Sequence, residues 1–99
     1  QDKIKGVYAG SKQEAKELNL KDETLTKFNQ LTRAIKERRK VLIRYYSYNK
    51  GENDRTICPA EMFLFQDGWY VAAFCLKKND IRHFELRRII KLELLEETF

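Results

Sequence analysis

The 99-residue chain holds one proline, one histidine, one tryptophan, two cysteines and four glycines, and these scarcities remove several classes of protein. Cys58 and Cys75 stand far apart in apolar surroundings, which argues against a disulfide scaffold or a zinc site and fits a reduced, cytoplasmic setting. His83 has no cysteine or carboxylate at metal-ligand spacing and reads as an ordinary surface or packing residue. There is no glycine-rich phosphate loop, no H-E-x-x-H, and no serine or cysteine followed by a credible base. No enzyme, cofactor or metal is therefore expected. No apolar run approaches the ~20 residues of a membrane span, and the opening "QDKIKGVYAG" lacks the apolar centre of a signal peptide.

What is present suffices for one domain. Hydrophobic residues make up 42% of the chain, enough for a single compact core and too many for a disordered segment. Lysine and arginine outnumber acids by 20 to 15, a formal net charge of +5, which favours an anionic partner. The charge is patchy. "KERRKVLIR" (Lys36–Arg44) and "IRHFELRRIIK" (Ile81–Lys91) are basic, whereas Glu93, Glu96 and Glu97 make the C-terminal stretch acidic.

Residues 1–21, interrupted by Gly6 and Gly10, read as a linker from a missing upstream domain. From Asp22 the pattern becomes helical: Leu25, Phe28, Leu31 and Ile35 recur on one stripe, with acids at the start and bases at the end, which predicts a helix over 22–40. Strand signals follow over 41–99. "VLIRYYSY" ends at the polar loop "NKGEND"; "RTICPAEMFLF" is interrupted by Pro59, which implies an edge, a bulge or a break. "QDG" signals a hairpin, "WYVAAFCL" is its return strand, and "KKND" leads into "IRHFELR" and "IIKLELL". The sum is a mainly β fold with one N-terminal helix, whose short strands bury their apolar faces best by curling into a small five-stranded barrel or sandwich.

"GWYVAAFC" followed by "IRHFELRRI" resembles the WYL domain, named for a Trp-Tyr-Leu triplet that a segment of the form R-x-F-R-L-D-R-I follows. Pro59, Trp69-Tyr70, Arg82, Phe84, Leu86, Arg88 and Ile89 stand in the family's order, and the resemblance covers roughly residues 22–99. Three positions depart: Val71 replaces the leucine, Glu85 stands where an arginine is usual, and Arg87 where an aspartate is usual. A ligand role for the arginine that Glu85 replaces is not carried over. The resemblance implies a barrel similar to SH3 and Sm-like folds. WYL domains occur mostly in bacterial transcription regulators that bind DNA through a winged helix-turn-helix, here absent, and often dimerise. They are understood as sensors of a negatively charged effector, for some members single-stranded nucleic acid.

Strand alternation places Arg82, Phe84 and Leu86 on one face, a cation beside an aromatic ring. Guanidinium forks hold phosphate, and rings accept bases. Arg82 and Arg88 are thus the leading ligand-binding candidates, with Phe84 and Tyr70 beside them, and Arg44, Tyr46 and Arg55 completing the basic surface. Trp69 is expected to pack. Two functions remain open. One is an effector-sensing module for an oligonucleotide or phosphorylated small molecule; the other is a protein-interaction or dimerisation module, served by the helix stripe and by a strand edge near Pro59.

Overall fold

The computed structural model describes residues 22–99; the linker expected over 1–21 lies outside them. Helix α1 (Asp22–Glu37) carries Asp22 and Glu23 in its first turn and Lys36 in its last, so its charges oppose the macrodipole. It stops short of the expected residue 40. Arg38 takes a left-handed φ of 54°, and its N–H donates to the Ile35 carbonyl at 3.3 Å, closing the helix where glycine usually does so. The basic run beyond is consumed locally: Arg33 and Arg39 bind Glu37 at 3.0 Å each, and Lys40 binds Glu97 at 2.8 Å. Arg38 donates to the Phe99 carbonyl at 3.0 Å and lies 5.0 Å over the Phe99 ring.

Five strands follow: β1 (Arg39–Ser47), β2 (Gly51–Phe65), β3 (Gly68–Cys75), β4 (Asp80–Glu85) and β5 (Ile89–Thr98). They form one antiparallel sheet in the order β4-β3-β2-β1-β5. Pro59 stands where its missing N–H matters least. The β1–β2 ladder runs only as far as Ile57, and the β2–β3 register slips between Pro59 and Glu61.

The hairpin after β2 exists, but its turn is shifted from the Asp-Gly pair. Phe65 pairs with Gly68, leaving Gln66 and Asp67 as the loop, and Gln66 supplies the positive φ, 56°. Gly68 is needed for a different reason: a Cβ there would lie 2.9 Å from Glu85 Oε2 and 3.0 Å from Arg87 Nη2.

A 3₁₀ turn (Leu86–Arg88) joins β4 to β5, which are the opposite edges of the sheet. The chain from Glu85 to Ile89 reaches about 15 Å at full stretch, whereas five flat strands would hold their edges about 19 Å apart. The sheet therefore curls. Its edges do not pair, so it is an open curled sheet and is not closed by hydrogen bonds; the expectation of five antiparallel strands and one helix holds, and closure of a barrel is not seen. Tyr45 spans the gap instead, accepting the Glu85 N–H at 2.9 Å.

The inner face of the curl and the stripe of α1 make the core. Phe28, Leu31 and Ala34 of α1 meet Val41, Ile43, Ile57, Met62, Val71, Ala73, Leu86 and Ile89. Trp69 packs edge-on against Phe28 at 5.2 Å, as expected of it. Phe28 and Leu31 are fully buried within the chain, so the helix stripe is not available to a partner.

Candidate functional site

Because β1, β2, β3 and β4 are antiparallel, the β1–β2 and β3–β4 turns emerge at the same end of the sheet. The inner face at this end is where polar groups interrupt the core. Arg55 lies opposite Ile43 and Arg82 opposite Ala73, both on the inward side of the pleat. Arg55 is only 8% exposed. Its Nε donates to Asn53 Oδ1 at 2.7 Å, and Nη1 approaches Cys75 Sγ at 3.8 Å. A buried guanidinium ordinarily pairs with a carboxylate. Arg55 has no such pair among the described residues, and neither has Arg82 or Arg88.

Aromatic rings link Arg55 to Arg88. The Arg55 guanidinium lies 5.9 Å from the Phe84 centroid, Phe84 meets Tyr45 edge-on at 5.0 Å, and Arg88 covers Tyr45 at 5.0 Å and Tyr48 at 3.9 Å. Arg88 also donates to the Tyr46 carbonyl at 3.0 Å. Ring faces and a carbonyl orient Arg88 without neutralising it. Burial holds the Tyr45 phenol above its ordinary pKa, so at neutral pH it stays a neutral acceptor for the Glu85 N–H.

Two lysines join from the turns. The Lys50 ammonium is the leading reason that the Lys78 pKa is lowered, with Arg55 and Arg82 adding to it. Lys78 thus lies in the positive field of three other bases, each from a separate segment. Asp80, the carboxylate nearest in sequence to Arg82 on the same face, accepts the Ile81 N–H at 2.8 Å and forms no ion pair among the described residues. Sequence reasoning missed Lys50, Lys78 and Tyr45. The signal was available in the topology, since antiparallel hairpins bring alternate turns together, but not in any contiguous motif.

The remaining candidates sit elsewhere or are covered. Phe84 is only 2% exposed, so it supports Arg55 and presents no free face to a base. Arg44 projects from the outer face, bound to Glu52 at 3.0 Å and Asp54 at 2.8 Å. Tyr70 is also on the outer face, stacked on Phe63 at 5.4 Å and edge-on to Phe65 at 6.0 Å, with His83 against Phe63 at 4.9 Å. Tyr46 is 42% exposed and meets Tyr48 edge-on at 5.8 Å. Of the residues expected from sequence to share one hollow, Arg55 and Arg88 are linked through Phe84 and Tyr45 and Arg82 lies on the inward face of β4, whereas Arg44 and Tyr70 are on the other side of the sheet. Neither thiol is set up as a nucleophile: burial raises the Cys58 pKa, and Cys75 is fully buried.

An open curled sheet with one covering helix, a Trp-Tyr pair at the start of β3 and an arginine-rich β4–β5 connection define a recognisable class. The sequence matches the WYL domain over residues 26–94, and the chain belongs to that family. Among solved structures it is similar to the proteasome accessory factor B/C (PafBC) of Arthrobacter aurescens, with a TM-score of 0.74 and 29% identity, over 80% of this chain and 12% of that one. The chain thus spans about an eighth of that structure's length. No curated protein matches the sequence. No helix among the described residues is long and apolar enough to cross a membrane.

Proposed function

We propose that this WYL domain is the effector-sensing part of a bacterial transcription regulator of the cytoplasm, and that it binds an anionic ligand, an oligonucleotide or a phosphorylated small molecule, at Arg55, Arg82 and Arg88. One observation supports the reading: Arg55 and Arg88 flank the linked Phe84 and Tyr45 rings, Arg82 shares the inward face of β4 with Phe84, and no carboxylate is paired to any of the three among the described residues. Guanidinium forks give two-point contacts to phosphate, and the exposed Tyr48 ring beside Arg88 offers its open face to a base. Binding, not catalysis, is what such a set performs. In this reading DNA is contacted through a helix-turn-helix domain outside this chain, the full protein is a homodimer, and the curled sheet is a variant of the SH3/Sm-like barrel.

Fluorescence anisotropy with short labelled single strands across a salt series tests this. Three phosphate contacts predict that log K falls by about 2 per decade of salt, and Arg82→Ala should reduce that slope by about 0.7. Arg44→Ala, already neutralised by two acids, should leave it unchanged. Absence of binding to single strands, nucleotides and small phosphates at low salt overturns the reading.

A second reading, a protein-interaction module, draws on the outer face. Phe65 is 54% and Ile81 52% exposed, beside Phe63, Tyr70 and His83. A patch of this kind marks a contact surface in many soluble proteins.

A further inference from the structure

We propose that the ligand is held by a terminal phosphate monoester, gripped by Lys50 and Lys78 at the mouth of the Arg55–Arg82 cluster. This rests on the anion-sensing reading and specifies the chemistry of the ligand.

Lys50 comes from the β1–β2 turn and Lys78 from the β3–β4 turn. The second turn is tied down beside Arg55: the Leu76 N–H donates to the Thr56 carbonyl at 3.0 Å, and the Asn79 N–H to the Cys75 carbonyl at 2.7 Å. Asn79 adopts a left-handed φ of 55°, which asparagine tolerates better than most residues. Lys78 thereby stands in a turn at the same end of the sheet as Lys50 and beside the segment that carries Arg55, and the positive charge of Lys50, then of Arg55 and Arg82, lowers its pKa. Below the two ammoniums lies Arg55, more than nine-tenths buried and without a carboxylate partner among the described residues.

Charge and oxygen count decide what fits. An internal phosphodiester brings one negative charge and two free oxygens. A monoester brings about −1.5 to −2 at pH 7 and three acceptor oxygens, which suits two ammoniums and two guanidiniums converging from four chain segments. The distribution of charge agrees. A long polyanion needs a continuous basic track, yet Arg39, Lys40 and Arg44, which continue along β1, are each paired with acids. Lys50, Arg55, Lys78 and Arg82 form no ion pair among the described residues, and the exposed Tyr48 ring lies two residues from Lys50, placed for a base next to the phosphate.

The test compares the full chain's affinity for one labelled single strand with a terminal phosphate at one end, at the other end, and at neither, with a nucleoside monophosphate as competitor. One phosphorylated form should bind about tenfold tighter, and the double substitution Lys50→Ala, Lys78→Ala should erase that difference between the strands. Full competition by the mononucleotide also supports the site and identifies a small phosphorylated ligand. Equal binding of all three strands, unaffected by the double substitution, overturns this proposal and leaves the anion-sensing reading standing. No binding of any strand or of the mononucleotide by the unsubstituted chain overturns both.

Discussion

Arg87 folds back two residues to bind Glu85, its Nε lying 2.8 Å from Oε2 and its Nη2 meeting the same oxygen. These are the two positions at which the sequence departs from the charge pattern of its family, and they compensate each other directly. Glu85 is nearly buried, whereas Arg87 remains mostly exposed, so the pair is anchored on the carboxylate. Gly68 lies directly beneath it.

That contact gives Gly68→Ala a sign that depends on Glu85. With Glu85 present, the new Cβ displaces the carboxylate and the Arg87 fork, costing about 1–3 kcal/mol. With Glu85→Ala the obstruction disappears, and the lower backbone entropy of alanine should stabilise the strand by about 0.5–1 kcal/mol. Urea unfolding of the four proteins in the cycle measures the coupling. Additive effects would show that the glycine is not there to admit the ion pair.

Two residues earlier the expectation reverses. Gln66 holds a positive φ at the first loop position and is exposed, a geometry in which a β-carbon is strained and glycine is preferred. Gln66→Gly should therefore stabilise the hairpin by about 0.5–1 kcal/mol, net of the larger entropy of the unfolded glycine. A fall in melting temperature would contradict this.

These neighbours illustrate what the sequence made legible. Asp67-Gly68 marked a hairpin correctly because turn chemistry is local, but the turn sits one residue earlier because Gly68 answers a tertiary contact that no local pattern records. The helix stripe and strand alternation were readable for the same local reason, as was Pro59 at a register slip. The end of α1 was not, since Arg38 takes the left-handed position without a glycine to announce it. On β3 both faces are apolar, so alternation alone could not decide between Trp69 and Tyr70; α1 decides it by covering the Trp69 side. Arg82 and Arg88 were proposed through a contiguous motif. Lys50 and Lys78 stand in unremarkable polar turns and become neighbours only when the hairpins are assembled.

Tyr45 carries a structural prediction of its own. Its hydroxyl is the acceptor for the Glu85 N–H at 2.9 Å, and this bond joins β1 to the end of the β4 edge. Tyr45→Phe keeps the ring packing on Phe84 and beneath Arg88 but strands a buried N–H. The cost should be about 1–3 kcal/mol, and amide exchange at Glu85 should quicken far more than at Val71, in the middle of β3. A change spread evenly over the sheet would instead indicate general loosening.

Lys78 allows the charge cluster to be measured without any ligand. Its folded pKa is lowered, first by Lys50 and then by Arg55 and Arg82, so the charged form is disfavoured in the folded state relative to the unfolded chain. Below the folded pKa both states are protonated and the repulsion acts in full. Between the folded and unfolded values the unfolded chain binds more protons, and stability rises with pH. Lys78→Gln should therefore raise the melting temperature slightly at neutral pH and low salt, by an amount that shrinks as pH climbs through the folded pKa and again as salt approaches ~1 M and the screening length falls to ~3 Å. Lys36→Gln provides the control. Lys36 lies in the last turn of α1, where a positive charge is favourable, so its removal should lower the melting temperature or leave it unchanged. Equal gains from both substitutions would mean that the effect reports only the net positive charge of the chain and that the two turns do not converge.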